Sequence, residues 1–466
     1  MNPYRTLVFA EIVQESPLVV GGNLPHTLVD MPLARDGRGR PVLRGSTLAG
    51  CFIATARRMG GSLPRAITCD DTEALIPSAW RFAHAHPLTG NPVTVFFQHV
   101  SIDPRTQAAK DDHLFSVEAL PAGTRWNFAL EIVPSRETSL ADLEAWAAAV
   151  LAEWSRPGGA RLGRGSRHGY GWCHLESIRI VQLDTRQSAH WPDAAGPERS
   201  AQEWIDHLQA QGASVLDLEA FLTRNPLPSA SRCGWVAEFS GSLHVGERQD
   251  PFGRGYGLDT LSVGGHARMQ LQARDFFERV IPPPPDIRFA QENFDPDFTI
   301  TAMPGPNGRL IPYVPGASIR GVWRAALNRH LTACGGDRAQ IETLFGNTER
   351  AGRLSLADAY PRDDDWKLLW QQHVAIDEFS GGAYGAAKFD RLSLAQAHLG
   401  WRARIDADDE AQAKSLAESI TALLDALGDG QLPLGGGIRR GHGHVRWQLE
   451  HLTVRPLGTA GERKAT

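Results

Sequence analysis

Cysteine is sparse in this 466-residue chain, and its five residues (Cys51, Cys69, Cys173, Cys233, Cys334) show no CxxC and no Cys/His spacing suited to zinc. An odd, scattered set excludes a disulfide framework and fits a reducing compartment. No apolar run approaches the length of a membrane span, and Met1–Arg5 lacks the charged-then-apolar build of a secretory signal. The expected location is the cytoplasm. A strong charge of one sign is missing too. With a formal net charge of −5, a polyanionic partner has to be met by local basic patches. No P-loop, HxxEH or Ser-His-Asp order is present, which removes the common nucleotide-binding, zinc-protease and serine-hydrolase readings.

What the chain has instead is an internal repeat. Gly45-Ser46-Thr47-Leu48-Ala49-Gly50 returns as Gly316-Ala317-Ser318-Ile319-Arg320-Gly321, and the run from Leu162 to Gly171 matches Leu434 to Gly443 without a gap. A third landmark lies between them: Val100-Ser101-Ile102-Asp103 and Val374-Ala375-Ile376-Asp377 each lead, twelve residues on, to a phenylalanine, Phe115 and Phe389. A spacing of about 270 residues is too long for a solenoid unit, so each copy is expected to be a whole domain.

Hydrophobic periodicity gives each copy the order strand, helix, strands, helix, Gly-rich loop, strand. The fold class this predicts is α+β: two tandem ferredoxin-like (RRM-like, βαββαβ) domains with insertions. The first domain is placed at 1–183 and the second at 232–457. A linker with a helical element occupies 184–231, an insertion falls at about 247–300, and 458–466 form a tail. Ser46 or Thr47 is expected to cap the first helix, and Ser139 a later one. Such double sheet-and-helix units are a frequent RNA-binding platform.

The closing loops carry Arg164, Arg167 and His168 in the first copy and Arg439, Arg440 and His442 in the second. Glycine lets backbone N–H groups come close to a phosphate, and arginine offers it a fork of donors. A solvated hairpin is the plain alternative; two such loops, each closing a repeat, favour nucleic-acid contact. The helix starts at Ser46, Thr47 and Ser318 offer free N–H groups, with Arg320 and Arg324 adding charge in the second copy. Asp30 stands in the loop ahead of the first helix. Counting back equally from the second helix reaches Thr301, although Asp295 and Asp297 lie close by. Asp30 therefore reads as present in one copy only. His26 is a further candidate base, while Phe379, Tyr384 and Phe389 can stack on bases.

These residues resemble the RAMP superfamily of CRISPR proteins. Pro315-Gly316-Ala317-Ser318-Ile319-Arg320-Gly321 is similar to its helix start. Leu344-Phe345-Gly346 with Gly352-Arg353-Leu354, and Val374-Ala375-Ile376-Asp377 with Gly381-Gly382-Ala383, resemble the type III effector backbone subunit. The resemblance implies a tandem fusion of two such Cas7-like units that holds guide RNA against target RNA beside other CRISPR effector subunits. Asp30-Met31-Pro32-Leu33-Ala34-Arg35-Asp36 resembles that subunit's cleavage loop, which gives Asp30 the catalytic and metal-binding role, with Mg or Mn as the cofactor. Two alternatives stand beside this one: a non-catalytic scaffold of the same complex, and a metal-independent, guide-processing endoribonuclease using His26.

Overall fold

The computed structural model describes residues 4–22, 29–68, 77–90, 92–102, 109–187, 201–226, 234–247, 260–266, 273–281, 294, 296–305 and 309–459. His26, Asp103, Asp295 and most of the expected insertion lie outside these residues. The chain is a mixed α+β protein, and among the described residues its two largest hydrophobic clusters form the main cores, with two smaller clusters beside them.

In the first half, strand β1 (Tyr4–Gln14) buries every second side chain, the period of a strand with one face in a core. Helix α1 (Gly45–Met59), strand β2 (Trp80–Phe82), a hairpin of β3 (Val95–Ile102) and β4 (Ala109–Ala119), strand β5 (Arg125–Ile132), helix α2 (Leu140–Trp154) and strand β6 (Trp172–Asp184) follow. The sheet order is β6-β1-β5-β2, with all neighbours antiparallel. Val8, Ala10 and Ile12 meet Leu48, Phe52 and Ala56 of α1 and Leu143, Val150 and Trp154 of α2 in one core. Ser139 caps α2 by accepting the Asp142 N–H at 3.1 Å, as its sequence predicts. On the opposite face, α3 (Ala201–Ala210) of the linker sets Ile205 and Leu208 against Val181 and Leu183.

The second half repeats this order. Strand β7 (Trp235–Val245), helices α5 (Gly316–Cys334) and α6 (Ala339–Phe345), strands β8 (Leu354–Ala357), β9 (Lys367–Ile376) and β10 (Ala383–Ala407), helix α7 (Glu410–Leu427) and strand β11 (Arg446–Pro456) build it. Here α4 is the short linker helix Leu218–Arg224. The sheet runs β11-β7-β10-β8, again antiparallel. Trp323, Trp401 and Trp447 pack edge to face at 5.3 to 6.3 Å between α5 and the sheet, an arrangement worth about 1 kcal/mol per pair beyond the burial itself. Both halves carry a bulge where the first strand meets the last, at Phe9/Glu11 and at Ser240/Gly241. One strand differs from expectation. The glycines at 381, 382 and 385, which read as loop, form the tip of a long β9–β10 hairpin instead.

Several contacts lock the halves together, two sets of them with buried or backbone partners. The end of α2 pushes Glu153 into the second sheet, where it is fully buried and pairs with Arg404 at 2.7 Å and Arg455 at 2.8 Å. Glu238 and Asp406 complete the set on Arg404, and Asp406 also meets Arg58 at 3.0 Å. Second, His168-Gly169 of the first Gly-rich loop pairs in parallel with Leu356-Ala357 of β8. No helix among the described residues is long and apolar enough to cross a membrane.

Candidate nucleic-acid interface

Both helix starts are built alike, though not by the expected caps. Arg44 and Pro315 occupy the N-cap positions, and neither helix has a side-chain cap, so Ser46, Thr47 and Ser318 do not serve as one. Ser46 is exposed; Thr47 and Ser318 are half-buried. The first N–H is taken by the segment just after a distant strand. Gly45 donates to Nδ1 of His84 at 2.9 Å, and Gly316 donates to Oδ1 of Asp358 at 2.7 Å. Leu43 bridges Ala85 as Val314 bridges Ala359, so Phe82-Ala83-His84-Ala85 and Leu356-Ala357-Asp358-Ala359 are counterparts. Only the alternation of small residues hinted at this pair in the sequence. Burial pushes the Asp358 carboxyl up to about 7, against the Gly316 and Tyr360 hydrogen bonds that lower it.

The two Gly-rich loops have different surroundings. In the first, Arg167 reaches across the junction, its Nε donating to the Gly352 carbonyl at 2.7 Å. Gly169 has a φ of +107°, and a Cβ there would lie 1.9 Å from Oδ1 of Asp358. That close approach is why the position is glycine. His168 sits at the exposed edge, yet the packed protein around it and the charges of Arg320 and Arg167 push its pKa down to about 4. Arg164 is exposed and lies against Sδ of Met31 at 3.0 Å. In the second loop, Arg439 and Arg440 are exposed on a single turn of 3-10 helix. Among the described residues that loop pairs with no strand of another domain. His442 is half-buried, and burial with the charges of Arg391 and His373 lowers its pKa.

Arg320 is placed otherwise than its sequence position suggested. It is buried, with its two terminal nitrogens donating to the carbonyls of Leu354 at 2.5 Å and Phe345 at 2.8 Å, so it braces α5 from inside. Arg324, one turn further on, is exposed. Each half also projects a hairpin. Phe379 (90 % exposed) and Tyr384 stand at the tip of β9–β10, and Phe96 and Phe115 are exposed on β3–β4. Phe389 is half-buried and packs on His373 and Phe298.

Asp30 is exposed beside β4. Its Oδ2 accepts the Ser116 N–H at 2.7 Å and the Ser116 hydroxyl at 2.8 Å, and these bonds hold its carboxyl below the usual range. Thr301 is not its counterpart. Thr301 donates its N–H to Val263 and accepts from Tyr313, as Ala34 donates to Val20 and accepts from Val42. Ala34 lies four residues after Asp30, and Thr301 four after Asp297. The connection to the second helix is longer, so equal counting missed the acid. The position matching Asp30 is Asp297.

The RAMP superfamily matches residues 12–174 and 304–446, one region in each half. This chain belongs to that superfamily and is a CRISPR-associated RNA-binding protein made of two such units. No curated protein matches it.

Proposed function

We propose that the chain is a backbone subunit of a type III CRISPR RNA-guided complex, binding guide RNA along both halves and cutting complementary RNA at Asp30. The observation that carries this is the twofold recurrence, within one RAMP chain, of a basic Gly-rich loop, a helix start and a hairpin bearing exposed aromatics. The β-α-β-β-α-β order of each half, with the last strand beside the first, supports a ferredoxin-like reading of both. Base pairing supplies sequence specificity in such complexes, while the protein grips backbone and shape. Arg164, Arg439 and Arg440 suit phosphates, and Phe379 and Tyr384 suit stacking on bases.

The donors at Asp30 fit a magnesium- or manganese-class cation in a modest way: both Ser116 bonds fall on Oδ2, and such ions take most ligands from water and phosphate. The one group of three metal-capable side chains among the described residues, His244, Glu247 and His398, lies in the other half and offers nothing here. A cation held by Asp30 would neutralise charge on the scissile phosphate. With its carboxyl kept ionised by Ser116, Asp30 is a weak proton acceptor. Its role is to hold and orient the attacking 2′-hydroxyl.

Two measurements test this reading. In the assembled complex, Asp30→Ala is expected to abolish at least one cut in complementary RNA, and undiminished cleavage at every position sinks the assignment. RNA affinity is expected to fall steeply with salt, with Arg439→Ala reducing the log–log slope by about 1. An unchanged slope returns that loop to a solvated turn.

A further inference from the structure

The contacts that place Asp30 have counterparts around Asp297. Met31, next after Asp30, pairs in parallel with Val117, next after Ser116. Phe298, next after Asp297, pairs in parallel with Arg391, next after Asp390. Ser116 and Asp390 are each preceded by a phenylalanine that faces a cross-strand histidine. Phe115 stacks on His99 at 5.1 Å and 23°, and Phe389 on His373 at 5.0 Å and 20°. The carboxylates are held alike: the Asp390 N–H donates to Oδ2 of Asp297 at 2.9 Å, where the Ser116 N–H donates to Asp30 at 2.7 Å. Both acids are exposed.

We propose that Asp297 forms a second RNA-cutting centre, with Asp390, His373, His442, Arg391 and Arg440 as its surroundings. This rests on the reading of Asp30 as the first centre. The second site differs from the first in ways that suit a phosphodiester. Asp390 stands where the first half has Ser116, so the residue whose N–H anchors the acid carries a carboxylate of its own, the ligand type a hard cation takes. Tyr170, whose hydroxyl meets Nε2 of His99 at 2.6 Å, is replaced by His442 in the matching loop. Nε2 of His373 and Nδ1 of His442 are buried and have no hydrogen-bond partner. Burial, and after it the charges of Arg391 and Arg440, lower the pKa of both rings, and arginines are the natural grip for a phosphate.

The reaction is transesterification. The O2′ of one nucleotide attacks the adjacent phosphorus, the P–O5′ bond breaks, and a 2′,3′-cyclic phosphate and a 5′-hydroxyl result. The O2′ proton passes to water at the carboxylates, and the departing O5′ takes a proton from solvent.

The test uses the assembled complex with end-labelled, guide-matched RNA, mapping every cut. Asp30→Asn is expected to remove one cut and Asp297→Asn a different one, with the double variant losing both. The amide oxygen at 297 still accepts the Asp390 N–H, so thermal stability and RNA affinity should be unchanged. A separate readout is Mn2+ binding to the same complex by electron paramagnetic resonance, where Asp297→Asn is expected to reduce the bound ion count. If Asp30→Asn removes every cut, or Asp297→Asn leaves all cuts and the Mn2+ signal intact, the second centre is refuted and the first stands. If the double variant still cuts at every position, the reading of Asp30 fails with it.

Discussion

Replacing Glu153 by glutamine tests how the two halves are held together. The side chain is fully buried at the end of α2, and it accepts from Arg404 at 2.7 Å, from Arg455 at 2.8 and 3.1 Å, and from the Gly458 N–H at 3.3 Å. Burial raises its pKa, but the Arg404 and Arg455 charges overcome this and hold it down at about 2, against an ordinary value of 4.5. Removing one partner of a buried pair costs about 3–5 kcal/mol, since the remaining charges stay buried without compensation. At a few degrees per kcal/mol, Glu153→Gln should lower the melting temperature by about 10 °C in calorimetry at pH 7. Because the contact spans the junction, one transition should also split into two. The sign with pH follows from a lowered carboxylate: its stabilisation is present above pH 4.5 and lost as pH falls toward 2. Glu15, also held at about 2 by His174 and Arg402 despite its burial, titrates in the same window, so the variant loses only part of this acid sensitivity. A variant that melts within about 2 °C of the wild type as a single transition would show that Glu153 does not hold the halves together.

Gly169→Ala should break the pairing of 168–169 with β8, since the new Cβ meets Asp358 and the +107° φ disfavours any side chain. Hydrogen exchange at 354–359 should rise, and unchanged protection there would count against the contact. Asp358, raised to about 7, keeps a proton in the folded state that the unfolded chain releases, so stability falls as pH climbs from about 4 to about 7. His168, pushed down to about 4, works in the opposite sense but only below 6.5. Between pH 6.5 and 8, Asp358→Asn should therefore flatten the decline in melting temperature, and an equal decline in both proteins would exclude Asp358 as its source.

Elements set by local pattern were legible in the sequence. Helix α2 begins where Ser139 predicts, and Asp409 caps α7 in the same way by accepting the Gln412 N–H at 2.8 Å. What local pattern does not carry is which distant group meets an element. Ser46 or Thr47 was the expected cap of α1, but His84, and for α5 Asp358, some forty residues further on, accept the first N–H of their helices. Arg320 looked like a phosphate ligand at a helix start, yet two carbonyls from other elements draw it inside. The β9–β10 hairpin was obscured because Gly381, Gly382 and Gly385 mark a turn equally well at a hairpin tip and in a loop.

The repeat itself was visible; its completeness was not. Sequence distance from the helix start failed for Asp297 because the intervening connection differs in length, while strand pairing preserves the match. Met31 against Val117 and Phe298 against Arg391 fix the two acids to the same place on their hairpins whatever the loop does afterwards. Pairing is the stronger criterion physically, since slipping a strand by one residue would turn its side chains to the other face. The asymmetry between the halves therefore lies less in the acids than in their partners: Ser116 against Asp390, Tyr170 against His442, and one Gly-rich loop engaged at the junction while the other has no such strand partner among the described residues.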